Sequence, residues 1–387
     1  MLSVELISDF AALAPLLPEW LELEAQLTTR VPSKTPGWTL TWWRHFQRVG
    51  LKARDSLHVY ALRDETGRLV GLAPMMLTHR PGYGPIHTRE LQFIGADPYV
   101  TQLRGALALP GRLGEVVDTL ADYIAAEGSC DWVQWRGLPA GHSFAGNGAD
   151  RGDAFLSETA LSDIDLVLPL GQPWEAFRDA LPKRTRKVLR KCYNDLKAEA
   201  IAYSIRVVTA PEDVPAALDV FLQQHQSRAE ADGVKPHPNV FSTRESRAFL
   251  ADICRHEASR GALRLFQLRL ADEVAATRLG FLLGDQLYLY FSGYDMKWAR
   301  LGVMTTLIAE IIQWAIANNV NLINLSSGTD RSKTRWLPQS IELSGGYTYA
   351  RALKSRIAFM TMHRLRGTKP ATAVEASEPA EDCREAG

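Results

Sequence analysis

Between positions 263 and 327 the apolar residues first alternate, then recur with a helical period, then alternate again. LRLFQLRL, VAATRLGFLL and LYLYFSGY predict three strands, separated by the turn triplets Ala-Asp-Glu and Gly-Asp-Gln. Apolar residues at 301, 304, 307, 308, 311, 312, 315 and 316 then predict one long helix, and INLSS a further strand. A strand that runs into a helix sets the helix's unpaired amides at the end of the sheet. The amides and the helix dipole together make that place an anion site.

The first half shows a similar order. SVELIS predicts an opening strand, and helices follow at about 10–27 and 38–49. LHVYALRD and LVGLAPMMLTHR form a hairpin about Glu65-Thr66-Gly67-Arg68, LQFIGA and LRGALAL are further strands, and a helix at 112–127 leads into DWVQWRG. Segments 57–77 and 263–283 superpose without a gap, so that Leu57, Tyr60, Leu62 and Arg63 face Leu263, Phe266, Leu268 and Arg269. Hairpin, further strand, helix and strand recur in one order, which implies two copies of one α/β unit.

A Gly-rich stretch at 138–160 lacks the strand-before, helix-after context of a phosphate loop and reads as a connection or lid. IDLVLPL, a basic helix at 182–199 and helices near 212–231 and 242–259 complete the second half, the last two parted by a loop rich in Pro and His. The end of the chain is rich in Ala, Glu and Pro without a core face, the signature of disorder. The expected division is therefore 1–160, 161–365 and a disordered tail at 366–387.

With 387 residues, 46% of them hydrophobic, the chain can bury two cores. Lys+Arg and Asp+Glu balance at 44 each, which gives no global pull toward nucleic acid. The cations nevertheless cluster, at Lys183-Arg184-Thr185-Arg186-Lys187 with Arg190-Lys191, and again at Arg351, Lys354, Arg356, Arg364 and Arg366. Such runs suit a solvated helix face, phosphates of a substrate, or anionic lipid headgroups. The four cysteines are widely separated and lack partners at ligand spacing, so reduced thiols and no metal are expected. No basic n-region precedes an apolar stretch near Met1, and the 301–317 helix is interrupted by Thr305, Thr306, Glu310 and Gln313. A soluble, cytoplasmic protein is the expectation.

From 290 to 336 the chain carries Tyr-x-x-Gly-Tyr-Asp (Tyr290 to Asp295), Trp298-Ala299-Arg300 before the helix, and Gly-x-Asp-x-x-Lys-x-Arg-Trp (Gly328 to Trp336). Trp38 with Trp42-Trp43, Lys183-x-x-Arg186, and Phe221, His225 and Arg228 lie upstream. In these motifs and their order the sequence resembles bacterial GNAT-fold acyltransferases of the CelD/BcsL type, relatives of the Fem transferases with two tandem GNAT domains. The resemblance implies two GNAT-like domains, each a mixed, mostly antiparallel sheet flanked by helices. The second would bind acyl-CoA, with acetyl-CoA the expected co-substrate. The first would be structural or face the acceptor. It further implies a sugar or nucleotide-sugar acceptor in exopolysaccharide- or cellulose-type synthesis, with peripheral contact to the inner membrane face or to polysaccharide-synthesis proteins. Two positions depart from the family pattern: the loop holds a single glycine, Gly302, and Ser332 stands where relatives often have Tyr.

Acyl transfer from a thioester needs an anion cradle, a donor to the carbonyl and a base. Amides from Gly302 through Val303, Met304 and Thr305 to Thr306, with Arg300, are the cradle, and the resemblance assigns the carbonyl donor to the backbone at Phe291 and Ser292. Asp330 is the first candidate base because it follows a strand's carboxyl end, where α/β sites open; His225 is the second. Tyr294 and Asp295 follow the same strand as the donor amides, although Asp295 also suits a helix cap. Lys333, Arg335, Trp336 and Arg186 are the candidate substrate contacts, the first two alternating on an extended segment. Two other functions stay open: a degenerate GNAT module that binds or regulates, and a Fem-like transferase using aminoacyl-tRNA. The chain lacks the sustained heptads of a coiled-coil insertion that such transferases often carry.

Overall fold

The computed structural model describes residues 2–84, 86–97, 99–142, 155–231 and 238–367, with side chains at 155–162 and 365–367 excepted. In chain order the elements are β1 (Ser3–Ile7), α1 (Leu17–Ala25), α2 (Pro36–Phe46), β2 (Arg54–Arg63), β3 (Leu69–Arg80), β4 (Thr88–Phe93), β5 (Leu107–Ala108), α3 (Leu113–Glu127) and β6 (Trp132–Pro139). Then follow β7 (Phe155–Pro169), α4 (Trp174–Ala180), α5 (Lys183–Ala198), β8 (Tyr203–Val208), α6 (Val214–Glu230), α7 (Arg244–Ser259), β9 (Leu263–Leu270), β10 (Glu273–Leu283) and β11 (Gln286–Tyr294). The chain closes with α8 (Val303–Ala317), β12 (Leu322–Ser327), α9 (Arg331–Thr334), β13 (Gln339–Ala350) and α10 (Leu353–Gly367). Most of the Gly-rich stretch and of the expected tail lies outside the described residues.

Two compact units emerge. The first holds Met1–Ile164 together with the segment beginning at Glu342; the second is built on Asp165–Ile341. The first has the strand order β1-β2-β3-β4-β6-β13, with β5 on β3. Only β4 and β6 run parallel, and α3 is the crossover between them. Its core packs Tyr60, Val70, Leu91 and Trp135 of the sheet against Val116, Leu120 and Ile124 of α3. Pro74 sits inside β3 without breaking the sheet. β4 covers that edge from Met75 onward and β5 covers Gly71 and Leu72, so the ring nitrogen falls between the two pairings.

The second unit has the order β7-β12-β11-β10-β9-β8, with β11 and β12 as its parallel pair and α8 as their crossover. This repeats the order β13-β6-β4-β3-β2-β1 of the first unit. The superposed hairpins keep register to within one residue: Tyr60 faces Ala73, and its counterpart Phe266 faces Arg278, one place from Leu279. The fold is thus a tandem of two GNAT-like α/β units.

The expected boundary at 365 is corrected. β13 pairs with β6 from Leu343 to Tyr349, and Phe359 of α10 packs on Trp132, Tyr347 and Tyr349. Residues 342–367 therefore return to the first unit. The segment at 331–335 is also corrected. It is a helical turn, because Asp330 caps it by accepting from the Ser332 amide at 3.1 Å.

Phe359 is only 2% exposed. Phe359→Ala is expected to destabilise the first unit by about 3 kcal/mol, read as a lower urea midpoint. A midpoint equal to that of the unmutated protein would show that the returning segment adds nothing to that unit.

Candidate active site in the second unit

β11 and β12 pair for three residues only, Gln286 to Tyr288 against Leu322 to Asn324, and then part. On its other edge β11 carries a bulge. Arg278 faces Ser292 and Gly280 faces Leu289, so Leu279 stands opposite both Tyr290 and Phe291. The extra residue turns the backbone at Phe291 and Ser292, the two positions expected to offer an amide to a carbonyl. Beyond β11, Asp295 accepts from the Lys297 amide at 3.0 Å and caps a 3-10 turn, Met296–Leu301. Gly302 then starts α8 with φ of 65°.

Packing explains that glycine. A Cβ at Gly302 would lie 2.5 Å from the Cys192 sulfur on α5. The amides of Thr305 and Thr306 bond back to the Gly302 carbonyl, while those of Val303 and Met304 precede the first helical bonds and have no intrahelical acceptor. The side chains above them differ from expectation. Thr306 is buried beside the Cys192 thiol, and the Thr305 hydroxyl contacts Arg335 Nη1 at 3.3 Å. Arg300 is ion-paired with Glu199 at the end of α5, so its guanidinium is directed there. Burial pushes the Cys192 thiol up, which removes it as a nucleophile.

The end of β12 forms the other wall. Asn324 is buried; its amide donates to Asp165 at 2.8 Å and its carbonyl accepts from the Ser326 amide at 2.7 Å. That ring holds Ser326 at φ of 64°, and the turn presents two acceptors to Lys333. Lys333 Nζ donates to the Ser327 carbonyl at 2.5 Å and to Ser326 Oγ at 3.1 Å, and lies 3.8 Å from Asp330 Oδ2. Burial lowers the Lys333 ammonium to about 8; Asp330 and Asp165 oppose the shift and Arg278 reinforces it. Arg278 is lowered to about 10, again chiefly by burial. Its Nη2 donates to the Leu289 carbonyl at 3.3 Å, and its Nε has no acceptor among the described residues. The notch therefore holds two partly buried cations beside Asp330.

Arg278, Asn324, Ser326 and Asp165 escaped the sequence reading. The signal was there for Arg278, since Thr277-Arg278 interrupts an otherwise apolar strand. Several expected residues do other work. His225 is fully buried among Phe221, Phe241 and Phe291, with Nδ1 3.1 Å from the Ser292 carbonyl. Burial lowers its pKa, and its ring braces the bulged strand from inside the core. A Cβ at Gly293 would meet the backbone nitrogen of His225 at 2.7 Å, which shows how closely α6 approaches that strand. Asp295 is a cap, and Tyr294 lies under Arg228, whose guanidinium is 5.7 Å from the ring centre. Trp336 is 1% exposed and cannot serve as a sugar platform. Arg186 is exposed on α5 and no side-chain contact ties it to the notch among the described residues.

Comparison with known proteins agrees with this geometry. Residues 183–334 match a family described as an acetyltransferase (GNAT) domain. A search of curated proteins returned no match to this sequence. Among solved structures the chain is similar to FemX, at 10% identity with a TM-score of 0.62, over 92% of this chain and 99% of FemX. It is also similar to a conserved protein of unknown function from Bacteroides thetaiotaomicron VPI-5482, at 12% identity with a TM-score of 0.50, over 90% of this chain and 100% of that one. At such identities these likenesses speak for the fold. Residues 183–334 thus match a GNAT acetyltransferase domain, set in a fold shared with those structures.

Proposed function

We propose that the chain transfers an acyl group, in the first instance acetyl, from coenzyme A to an amine or hydroxyl of an anionic sugar or nucleotide-sugar precursor. The observation that carries this reading is the notch where β11 and β12 part. The bulge on β11, the Arg335 contact to Thr305 at the start of α8 and the Lys333–Asp330 pair support it. The sequence resemblance to CelD/BcsL-type transferases supplies the polysaccharide context and the acceptor class.

In this scheme the amides of Val303 and Met304 receive the coenzyme's pyrophosphate. An amide at Phe291 or Ser292 donates to the thioester carbonyl and holds the negative charge that forms there. The acceptor's nitrogen or oxygen attacks the carbonyl carbon directly, the carbon–sulfur bond breaks, and the coenzyme leaves as a thiolate. Asp330 Oδ2 takes the acceptor's proton, its other carboxylate oxygen being engaged by Ser332. Lys333, held near the pKa of a thiol, returns a proton to the departing sulfur and so must start charged. Arg278, beside Asp330, meets the acceptor's anionic group, and the exposed cations of α5, Arg186 among them, are the candidates for its more distant phosphates. Among the described residues no cysteine supports a covalent acyl-enzyme, since Cys130, Cys192 and Cys254 are buried.

Calorimetric titration with acetyl-CoA, with desulfo-CoA as the control for the thiol end, tests the donor. Thr305→Asp adds a carboxylate that favours the start of a helix but repels a pyrophosphate. It is expected to weaken binding at least about tenfold without lowering the melting temperature. Equal affinity in the variant would remove α8 as the cradle, and absence of binding to the folded protein would remove coenzyme A as donor.

Lys333 gives a prediction in pH. Its folded pKa of about 8 lies below the unfolded value, so between roughly 8 and 10.4 the unfolded chain binds the extra proton and stability rises with pH. Turnover should fall across the lower part of that window as the ammonium is lost. Lys333→Met should abolish both trends and lower turnover about a hundredfold or more. A pH–stability curve shared by variant and parent would refute the burial argument.

A further inference from the structure

Most of the large apolar side chains left exposed on the described surface gather in three stretches, with Phe10, Tyr99, Tyr203 and Leu337 outside them. Leu51 and Ile86 are 78% and 81% exposed, Leu353 and Ile357 are 72% and 57%, and Val49 and Met360 join them. All belong to the first unit and come from three short stretches, 48–54, 80–89 and 351–364. The stretches adjoin one another. The Gly82 amide donates to the Leu51 carbonyl at 2.8 Å, Arg54 lies over the Tyr83 ring at 5.1 Å, and Lys354 Nζ reaches the His87 carbonyl at 2.8 Å.

The charge on this face has one sign. None of the three stretches contains an Asp or Glu. The acids that adjoin them, Asp55, Glu90 and Asp131, are buried and paired with Arg48, Arg80 and Arg89. Exposed Lys52, Arg54, Lys354 and Arg356 remain as a basic rim. On α10 the exposed Leu353, Ile357 and Met360 recur at i, i+4 and i+7, while Ser355 and Phe359 turn to the core. The helix is therefore anchored on one side and presents an apolar stripe with basic flanks on the other.

We propose that this face is a docking surface for an anionic phospholipid bilayer. Single apolar side chains raised on two loops and one helix stripe suit insertion among acyl chains, and the basic rim suits the headgroups. A protein partner would have to supply both an acid-rich ring and separate pockets for each protruding side chain. A bilayer meets both demands without a matching shape. None of the described helices is long and apolar enough to cross a membrane, so the contact is peripheral. Docking would hold the enzyme where lipid-linked or membrane-assembled acceptors are made. That consequence rests on the proposed function, but the docking itself does not.

The test is co-sedimentation of the full chain with phosphatidylcholine vesicles, with and without phosphatidylglycerol. Binding is expected only when phosphatidylglycerol is present, and it should weaken as salt rises. Lys52→Gln and Lys354→Gln should each reduce it about fivefold. Leu51→Ser with Ile86→Ser, and Leu353→Ser with Ile357→Ser, should each reduce it about tenfold or more, with circular dichroism and acetyl-CoA affinity unchanged. Failure to sediment with anionic vesicles at low salt, or binding unaffected by the apolar substitutions, would overturn the proposal. So would a dimer in sedimentation velocity that the same substitutions dissolve, which would assign the face to a second copy of the chain.

Discussion

A parallel strand pair that separates after three residues leaves backbone groups with no neighbour, and buried backbone groups need partners. Both units contain such a parting, and they resolve it differently. In the first, β4 and β6 pair only from Glu90 to Gln92, and the chain between them comes back to fill the space. Ile94 donates to the Pro74 carbonyl, Asp97 accepts the amides of Tyr99, Val100 and Thr101, and the Arg104 carbonyl lies where a Cβ on Gly137 would have to go. The gap is closed by the protein's own backbone. In the second unit the space beyond Tyr288 is bounded by a bulge, a helix start and two cations.

The charges in that notch run against stability. An ammonium lowered to about 8 and a guanidinium lowered to about 10 are both penalised by burial, and neither is fully repaid by Asp330 and Asp165. A fold selected for stability alone would put apolar residues at Lys333 and Arg278. Groups held in this way, in an opening where strands diverge, are the usual mark of chemistry. The supporting ring of Asp165, Asn324 and Ser326 touches no solvent to speak of, yet it fixes the turn that carries Lys333.

The same economy explains the departures from the family pattern. The single glycine, Gly302, is demanded twice, by a left-handed φ and by the Cys192 sulfur packed against it. Arg300 is held by Glu199, while Arg335, brought in by the α9 turn, contacts Thr305 in the first turn of α8. A spacing argument places Arg300 there because it is adjacent in sequence; the ion pair is formed with a residue about a hundred positions away, which no local pattern records.

Periodicity alone determined much of this protein. The hairpins β2–β3 and β9–β10, the helices α3, α5, α6, α7 and α8, and the repeated order of elements follow from where apolar residues recur, because burial acts on each element's face locally. The candidate site residues had other sources: Phe291 and Ser292 came from the resemblance to GNAT transferases, and Gly302 from the expected helix start. Only the tertiary structure decided their roles. His225 became a core brace because Phe241 and Phe291 from elsewhere close over it beside Phe221 of its own helix, and Trp336 became core for the same kind of reason. β13 joined the first unit because its pairing partner, β6, lies two hundred residues earlier. Arg278 entered the site because a bulge on the neighbouring strand changed what it faces. Sequence fixes which face of an element is buried; which neighbour buries it, and with what charge beside it, depends on contacts between distant parts of the chain.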